Sequence, residues 1–397
     1  MKKLLLASAG AALIAGGALA EGHEGEVKLG IIFGYTGPIE SLTGPMALAA
    51  EAAIAEVSDS GLFLGGRTVV GIRADSTCVD SAVAVAAAER LVTSEGVAAI
   101  VGGDCSGVTG AILQSVAIPN GIVMISPSAT SPGLSTVEDE GLFFRTSPSD
   151  AREGQVAAEI MIERGITSVA LTYTNNDYGK GLADAIQSSF EALGGEVTIV
   201  TAHEDGKADY SAEVAALASA GGDILVVAGY LDQGGLGIIQ ASLDTGAFDT
   251  FELPGGMIGD SLPLAVGSAL NGSFGQVPGT DAPGMGILDE MSGGAFDVNS
   301  PYTPESYDAA ALILLAMQAA GSTVTADFVG EVLNVANAPG IEIFPGELAK
   351  ALEILADGGE IDYVGATAVE LIGPGESAGN YREIEIQGEA VTTVRFR

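Results

Sequence analysis

Hydrophobic residues along the chain form short continuous runs that alternate with stretches of helical spacing. The run 27–33 (VKLGIIF) predicts a buried strand, and Ala50, Ile54 and Val57 after it are spaced for one apolar helix face. Further strands are predicted at 68–74, 98–101, 121–125, 168–173, 196–201, 223–228 and 250–253, and helices at 81–92, 107–117 and 153–164. Short strands that alternate with helices are typical of βαβ units, so the predicted fold class is α/β with mostly parallel sheets.

The alternation breaks off at 144–150 and then starts again, so the chain holds two βα series. Two similar lobes are therefore expected. After 271–273 the pattern is looser, although helices are predicted at 286–293 and 304–320. The tail 379–397 alternates polar and apolar residues, which is typical of antiparallel strands.

The N-terminus has the layout of a secretory signal peptide over residues 1–20. Lys2 and Lys3 precede an apolar run, and small residues at 18 and 20 form a cleavage pattern. A membrane anchor is the alternative, but a run of about 17 residues is at the lower limit for a bilayer. The residue directly after the predicted cleavage site is Glu21 and not a cysteine, so a lipid anchor is not supported. We expect export to the periplasm, with about 377 residues left for two or three domains.

Acidic residues dominate the charge of the chain. It contains 52 Asp and Glu against 15 Lys and Arg, a formal net charge of −37. Such a protein repels nucleic acid and anionic membrane surfaces, so neither is expected as a partner. Because salt screens surface charge beyond about 10 Å, the excess describes surface solvation and does not define the ligand.

The chain has two cysteines, Cys78 and Cys105. An even pair in an exported protein favours one structural disulfide over reactive thiols. It would close a loop of about 27 residues, a contribution of about 3 kcal/mol in the chain-entropy model. Two cysteines alone do not make a zinc site, and no metal is expected.

Enzyme motifs are weak in this sequence. Residues 375–379 match G-x-S-x-G, which would make Ser377 the nucleophile of a secreted serine hydrolase, the alternative outside the binding proteins. That motif needs a buried strand before it and a helix after it, whereas Pro374 precedes it and an alternating strand follows. The histidines available as a base are His23 and His203. The chain also lacks P-loop, H-E-x-x-H, G-x-G-x-x-G and EF-hand patterns, so no enzyme activity and no cofactor are predicted.

Hydroxyl-rich and glycine-rich segments follow the predicted strands, at 105–107, 126–131, 175–179 and 229–232. In open α/β sheets, ligands bind beyond the carboxyl ends of the strands. Ser106 is expected to open a helix, where a hydroxyl and free backbone N–H groups suit a carboxylate. The alternative is that Ser106 only caps its helix.

These segments resemble the leucine/isoleucine/valine-binding family of periplasmic proteins, the type I solute-binding proteins of ABC importers. The resemblance runs from about 27 to 390 and is weakest over 280–300 and 325–375. It is carried by 35–38 with Gly44, Cys78 with 105–106, 124–132, 178–182 and 229–230. It implies two Rossmann-like lobes joined by three crossovers near 148, 273 and 376. Lobe 1 would comprise 25–148 and 274–376, and lobe 2 would comprise 149–273 and 377–397.

The resemblance also implies roles for individual residues. Ser106 and Thr130 would hold a ligand carboxylate, and the Ser128 carbonyl with Thr130 would accept from an ammonium. Ala129 lies between them in the same loop. The remaining implied residues are Tyr178 and Tyr230, which would close from the second lobe, Leu42 at the position of the side-chain pocket, and the disulfide cysteines Cys78 and Cys105.

The sequence departs from the pattern of the family at one position that bears on the identity of the ligand. Members of the family that bind amino acids pair the ammonium with a glutamate of the second lobe, and Gly255 takes that position here. An unpaired buried ammonium is costly. Either Asp260 or Asp232 replaces the glutamate, or the ligand is an amine-free carboxylate or amide. The prediction is a non-catalytic receptor that closes on a small aliphatic amino acid and presents it to the membrane subunits of an ABC importer.

Overall fold

The computed structural model describes residues 25–397, so the predicted signal segment 1–20 lies outside the described residues. Over this range, no helix combines the length and apolar character needed to cross a membrane. The strands are β1 (Val27–Phe33), β2 (Val69–Asp75), β3 (Ala99–Gly102), β4 (Met124–Ser126), β5 (Phe143–Arg145), β6 (Ser168–Thr174), β7 (Glu196–His203), β8 (Ile224–Ala228), β9 (Phe251–Leu253), β10 (Phe274–Pro278), β11 (Ile341–Ile343), β12 (Ile361–Tyr363), β13 (Leu371–Ile372), β14 (Glu376–Ser377), β15 (Tyr381–Gln387) and β16 (Ala390–Phe396).

Helices connect most of these strands. They are α1 (Glu40–Ser60), α2 (Ser81–Arg90), α3 (Ser106–Ile112), α4 (Ile118–Asn120), α5 (Asp150–Glu163), α6 (Asp177–Ala192), α7 (Ser211–Ala220), α8 (Gly234–Thr245), α9 (Ser261–Val266), α10 (Pro283–Ser292), α11 (Thr303–Ala320), α12 (Thr325–Phe328), α13 (Glu331–Ala336) and α14 (Leu348–Ala356).

Two seven-stranded sheets define two lobes. The lobe 1 sheet has the order β13-β14-β5-β4-β3-β1-β2, and the lobe 2 sheet has the order β16-β15-β10-β9-β8-β6-β7. In each lobe the first five strands along the chain are parallel neighbours in the same relative order. The structure therefore confirms the predicted α/β fold of two similar, mostly parallel lobes.

The hydrophobic pattern explains the layers. Strand β8 is Ile-Leu-Val-Val-Ala and is buried along its whole length, as expected for a parallel strand covered by helices on both faces. Helix α11 is buried from Thr303 to Gln318 and packs against α1. Alanines recur through both helices, and small side chains let two helices approach closely. In the tail, β15 and β16 form the antiparallel pair that the alternation predicts.

The chain passes between the lobes at 146–149, 279–282 and 378–380, because the elements on either side of each segment belong to different lobes. The predicted boundary between 273 and 274 needs correction. Strand β10 pairs with β9 and β15, so it belongs to lobe 2. Its sequence Phe-Gly-Gln-Val-Pro contains a glycine and ends in a proline, which hid the strand at the level of sequence.

Candidate functional site

The sheet order decides where a ligand can lie. In each lobe the direction of strand succession reverses, between β1 and β3 in lobe 1 and between β6 and β8 in lobe 2. Side chains beyond the carboxyl ends of strands at such a switch point line a crevice. The loops after β1, β3 and β4 of lobe 1 face the loops after β6, β8 and β9 of lobe 2 across that crevice.

A small cavity lies between these loops. Its volume, measured as space open to the centre of a water-sized sphere, is about 20 Å³. This space corresponds to one or two water molecules, since one water needs about 10–15 Å³ on this measure. The cavity is lined by Ile39, Leu42, Asp104, Cys105, Ser106 and Ser128 of lobe 1, by Tyr178, Tyr230 and Gly256 of lobe 2, and by Tyr302.

On the lobe 1 side, the polar wall is Ser106 and Ser128. Ser106 begins α3 directly after Cys105, and the disulfide between Cys105 and Cys78 fixes that turn. The predicted disulfide is thereby confirmed. The Ser106 hydroxyl accepts from the backbone N–H of Ser131 at 3.0 Å, and the Ser128 hydroxyl donates to the Asp104 carbonyl at 3.0 Å. Ser106 therefore holds the 126–131 loop in place as well as facing the cavity.

Thr130 and Ala129 belong to this loop but do not line the cavity. The Thr130 hydroxyl is buried beside the Asp150 carboxyl, and the Thr130 carbonyl accepts from the backbone N–H of Asp150 at 2.8 Å. The Ala129 carbonyl accepts from Arg145 Nη1 at 2.9 Å. The ligand roles of Thr130 and Ala129 thus stay predictions.

On the lobe 2 side, Tyr178 and Tyr230 stack with their ring centroids 5.0 Å apart and an interplanar angle of 14°. The Tyr178 hydroxyl accepts from the backbone N–H of Gly256 at 3.1 Å. Burial raises the pKa of both tyrosines well above the usual value, so both hydroxyls are neutral and able to donate. The two tyrosines form a rigid apolar wall with polar tips.

Asp260 and Asp232 lie outside this cavity. Asp260 is exposed and borders a neighbouring surface depression. The carboxylate of Asp232 accepts from the backbone N–H and the hydroxyl of Ser41, at 2.9 and 2.8 Å, and from Ser261 Oγ at 2.9 Å. In the described conformation, therefore, neither aspartate lines the cavity, and an ammonium-binding role for Asp260 or Asp232 stays a prediction.

Asp232 instead joins the lobes. Ser41 lies in the first turn of α1 in lobe 1, and the backbone N–H of Asp232 donates to the Pro38 carbonyl at 3.0 Å. A second bridge runs from the Ser131 hydroxyl to the Asp177 carbonyl at 3.0 Å. These contacts place the protein in a closed conformation, and a ligand larger than water can enter only if the lobes separate.

Four residues around the cleft were missed at the level of sequence. Tyr302 lines the cavity from the segment before α11, and its backbone is left-handed with φ 62°. Arg145, Asp150 and Glu153 are buried behind the loops. The sequence did contain a signal for Arg145, which directly follows Phe143 and Phe144. A charged residue next to an apolar run is a candidate for burial, and a buried charge needs a dedicated partner.

Within residues 25–397, no group of three or more His, Cys, Asp or Glu side chains is placed to hold a metal ion. The cavity instead offers hydroxyls, backbone groups and an aromatic wall. Such a lining suits a small polar organic molecule.

Comparison with known proteins agrees with this geometry. Residues 26–349 match the family model of the periplasmic binding proteins. The chain belongs to this family. A Leu/Ile/Val-binding protein homolog from Brucella melitensis is 30% identical over 303 residues, which covers 75% of this chain and 79% of the relative.

Solved structures share the fold of this periplasmic binding protein. A leucine-binding protein from Thermotoga maritima matches with a TM-score of 0.78 at 20% identity, covering 93% of this chain and 98% of that one. A solute-binding protein of an ABC transporter from Rhodopseudomonas palustris, in complex with p-hydroxybenzoic acid, matches with a TM-score of 0.74 at 18% identity, covering 94% and 97%.

Of the residues of the hydrolase alternative, Ser377 and His203 lie in different lobes of this periplasmic binding protein, and His23 lies outside the described residues. Ser377 is in β14, which pairs with β5 and β13 in the lobe 1 sheet. His203 is buried at the end of β7 in lobe 2, where its Nδ1 is hydrogen-bonded to Thr172 Oγ1 at 2.9 Å. Burial lowers the pKa of His203 to about 4. The G-x-S-x-G segment thus leads into the third connection between the lobes.

Proposed function

We propose that this chain is the periplasmic receptor of an ABC importer, that it closes on a small amino acid, and that it is not an enzyme. The observation that carries the proposal is the cavity between the lobes, to which each lobe contributes hydroxyl groups. An amino acid is larger than the described cavity of about 20 Å³, so the same two walls would enclose it in a wider closed form than the one described. A ligand that contacts both walls stabilises closure, so binding shifts the lobes toward it. The membrane subunits of the importer would then recognise the closed shape.

The lining of the cavity supports a ligand with one polar end and a short apolar side chain. Ser106 and Ser128 supply hydroxyls to the cavity, and the buried Thr130 hydroxyl lies in the same loop as Ser128. Ile39 and Leu42 supply the apolar wall and are both buried. A carboxylate would be held by the hydroxyls, since hydrogen bonds to a charged group contribute about 1.5–3 kcal/mol each.

The names of the related proteins agree with this ligand class. The relative from Brucella melitensis is named as a Leu/Ile/Val-binding protein homolog, and the matching structure from Thermotoga maritima is a leucine-binding protein. An amine-free carboxylate is the second candidate ligand. It is favoured by Gly255, which brings no carboxylate to the cleft, and by the structural match that holds p-hydroxybenzoic acid.

Thermal unfolding with a panel of ligands tests the proposal. We expect leucine, valine or alanine to raise the melting temperature, because a ligand at 100 times its Kd adds about 2.7 kcal/mol of stability. Benzoate, p-hydroxybenzoate and 4-methylpentanoate form the amine-free arm. Stabilisation by these acids and not by amino acids would favour the second candidate, and no response to either arm would contradict the receptor.

The same assay tests the walls of the site. The double variant Ser106→Ala, Thr130→Val is expected to lose most of the ligand-induced shift, because two hydroxyl contacts to a charged group are removed. Ser219→Ala removes an exposed hydroxyl on α7 and is the matched control. Unchanged affinity in the double variant would show that the ligand lies elsewhere.

Substitution of Asp232 tests whether its bridge between the lobes contributes to closure. Asp232→Ala removes the acceptor of three hydrogen bonds, two of which come from Ser41 in the other lobe. We expect ligand affinity to fall about tenfold, although Asp232 does not line the cavity, because the closed state loses about 1.4 kcal/mol. Isothermal titration measures the affinity, and small-angle scattering of the unliganded protein checks that its lobes are apart, the state in which the Asp232 bridge is absent and its loss therefore lowers only the stability of the liganded form.

Asp244→Ala is the charge-matched control for this experiment. Asp244 is exposed near the end of α8, and its substitution removes the same charge from the same lobe. Equal affinities for the Asp232 and Asp244 variants would show that the interlobe bridge does not contribute to closure.

A further inference from the structure

Two acidic side chains at the start of α5 lie behind the wall of the cleft. Asp150 and Glu153 are one helical turn apart on the same face, and both are fully buried. Helix α5 follows the first connection between the lobes, so this turn lies beside the hinge. The two residues are referred to below as the acid pair.

The acid pair has more acceptors than donors. Glu153 Oε1 accepts from the backbone N–H of Gly255 at 2.8 Å and from Gln276 Nε2 at 3.2 Å. The Asp150 carboxyl has the Thr130 hydroxyl and the Glu153 carboxyl as its hydrogen-bonding neighbours. Two adjoining buried carboxyl groups with so few donors are costly to ionise, which makes the pair a feature to be explained.

The acid pair adjoins the cavity through Gly255 and Tyr302. A Cβ atom at Gly255 would lie 2.6 Å from the Tyr302 hydroxyl oxygen and 3.6 Å from Glu153 Oε1, so these groups share one space. Tyr302 and Gly256 line the cavity. The Tyr302 side chain therefore occupies the position between the cavity and the acid pair.

The surroundings of the acid pair hold no uncommitted cation among the residues that the structure describes there. The titratable groups that act on it or face it are Arg145, Glu252, Tyr178, Tyr230, Tyr302 and Tyr381. Among these described neighbours, Arg145 is the cation, and its guanidinium is bound to Glu376 and to the carbonyls of Ala129 and Ser131. A cation that reaches the pair must come from the ligand.

We propose that Asp150 and Glu153 form the subsite for the ammonium group of the ligand, entered when the Tyr302 side chain moves aside as the lobes open. This inference rests on the proposed amino-acid receptor and names the residues that replace a carboxylate at position 255. The ligand carboxylate lies toward Ser106, and the ammonium lies toward α5. An amine-free acid gains nothing from this subsite.

Proton release distinguishes this subsite from a neutral polar pocket. Burial raises the pKa of Glu153 to about 7 and also raises the pKa of Asp150 well above its usual value, so the free protein holds protons here near neutral pH. An ammonium favours the ionised carboxylates. Binding of an amino acid should then release about one proton to the buffer, and the affinity should rise with pH across the range around 7.

Isothermal titration of the full mature chain tests the subsite. Leucine is titrated at pH 7 in phosphate and in Tris, whose ionisation enthalpies differ, and 4-methylpentanoate is the amine-free arm. We expect the observed enthalpy of leucine binding to depend on the buffer and that of 4-methylpentanoate not to do so. Glu153→Gln should weaken leucine about 10- to 100-fold, abolish the buffer dependence and leave 4-methylpentanoate unchanged.

Glu305→Gln is the matched control, because Glu305 is also a buried glutamate but belongs to lobe 1. Melting temperatures verify that each variant folds, and Asp150→Asn provides a second variant of the pair. Leucine binding without proton release, equally tight in Glu153→Gln, would overturn the subsite while leaving the receptor intact. Binding of 4-methylpentanoate alone would also overturn the subsite. Binding of neither ligand class would count against the receptor itself.

Discussion

Arg145→Met is expected to lower the free energy of unfolding by about 3–5 kcal/mol, the range measured when one partner of a buried ion pair is removed. The Arg145 side chain is 1% exposed, and it is bound to Glu376 at 2.5 Å. It also donates to the Ala129 and Ser131 carbonyls at 2.9 and 3.0 Å and to Ser135 Oγ at 2.7 Å. Methionine fills a similar volume but leaves all of these acceptors unpaired.

The substitution of Arg145 should also disturb the ligand site, because Arg145 connects the 126–131 loop to the third connection between the lobes. We expect ligand affinity to fall together with stability, whereas Glu376→Gln should cost less, since its amide oxygen still accepts. Urea unfolding followed by circular dichroism measures stability, and titration measures affinity.

Arg152→Met is the control for this prediction. Arg152 lies on α5 with 39% of its side chain exposed, and its ion pair with Glu159 is 3.9 Å long. Exposed pairs of this kind contribute about 0–1 kcal/mol. Similar losses in the two arginine variants would show that the buried network does not stabilise the fold.

Glu252→Gln is expected to stabilise the protein at pH 9 and to change little at pH 5. Glu252 lies in the centre of the lobe 2 sheet, fully buried, and the neutral side chain of Gln276 is its hydrogen-bonding neighbour. Desolvation by burial raises its pKa from 4.5 to about 8. Glutamine resembles the protonated acid and stays neutral at every pH.

The direction of this pH effect on stability follows from proton linkage. Between pH 4.5 and 8 the folded protein holds a proton at Glu252 that the unfolded chain has released, so the free energy of unfolding falls as the pH rises. Above pH 8 this loss of folding stability is complete. At 1.36 kcal/mol for each pH step, the advantage of Glu252→Gln reaches about 5 kcal/mol at most.

Urea unfolding at pH 5, 7 and 9 checks this result, with Glu389→Gln as the control. Glu389 is exposed in the turn between β15 and β16, and its substitution should leave the pH profile parallel to that of the unchanged protein. A parallel profile for Glu252→Gln as well would show that Glu252 is ionised in the folded state.

Much of the fold could be predicted because it depends on local patterns. Parallel βα units were identified by buried runs such as β1 and β8 and by the helices between them. The alternation of polar and apolar residues in the tail identified the pair β15 and β16. The three-residue strand β5 and the glycine-containing β10 were missed, because a short strand carries too few positions to show a period. Missing β10 moved one lobe boundary by a strand.

The residues of the candidate site were likewise predicted only in part. Ser106, Ser128, Tyr178, Tyr230 and Leu42 line one cavity. Ser106 was accessible to sequence because it follows the carboxyl end of a predicted strand, whereas the roles of the other four came from the resemblance to the solute-binding family. Tyr302 precedes α11, far from any strand end that the pattern shows. No local signal placed it in the cleft.

The sequence by itself determined the α/β class, the two lobes, the paired cysteines and the hydroxyl-rich loops, because periodicity and turn residues act over a few neighbouring positions. The tertiary structure alone decided which distant groups meet. Arg145 and Glu376 are 231 positions apart, Ser41 and Asp232 are 191 apart, and Glu153 and Gly255 are 102 apart. Such partners are selected by sheet order and by the need to satisfy each buried charge, and neither is written in the local pattern.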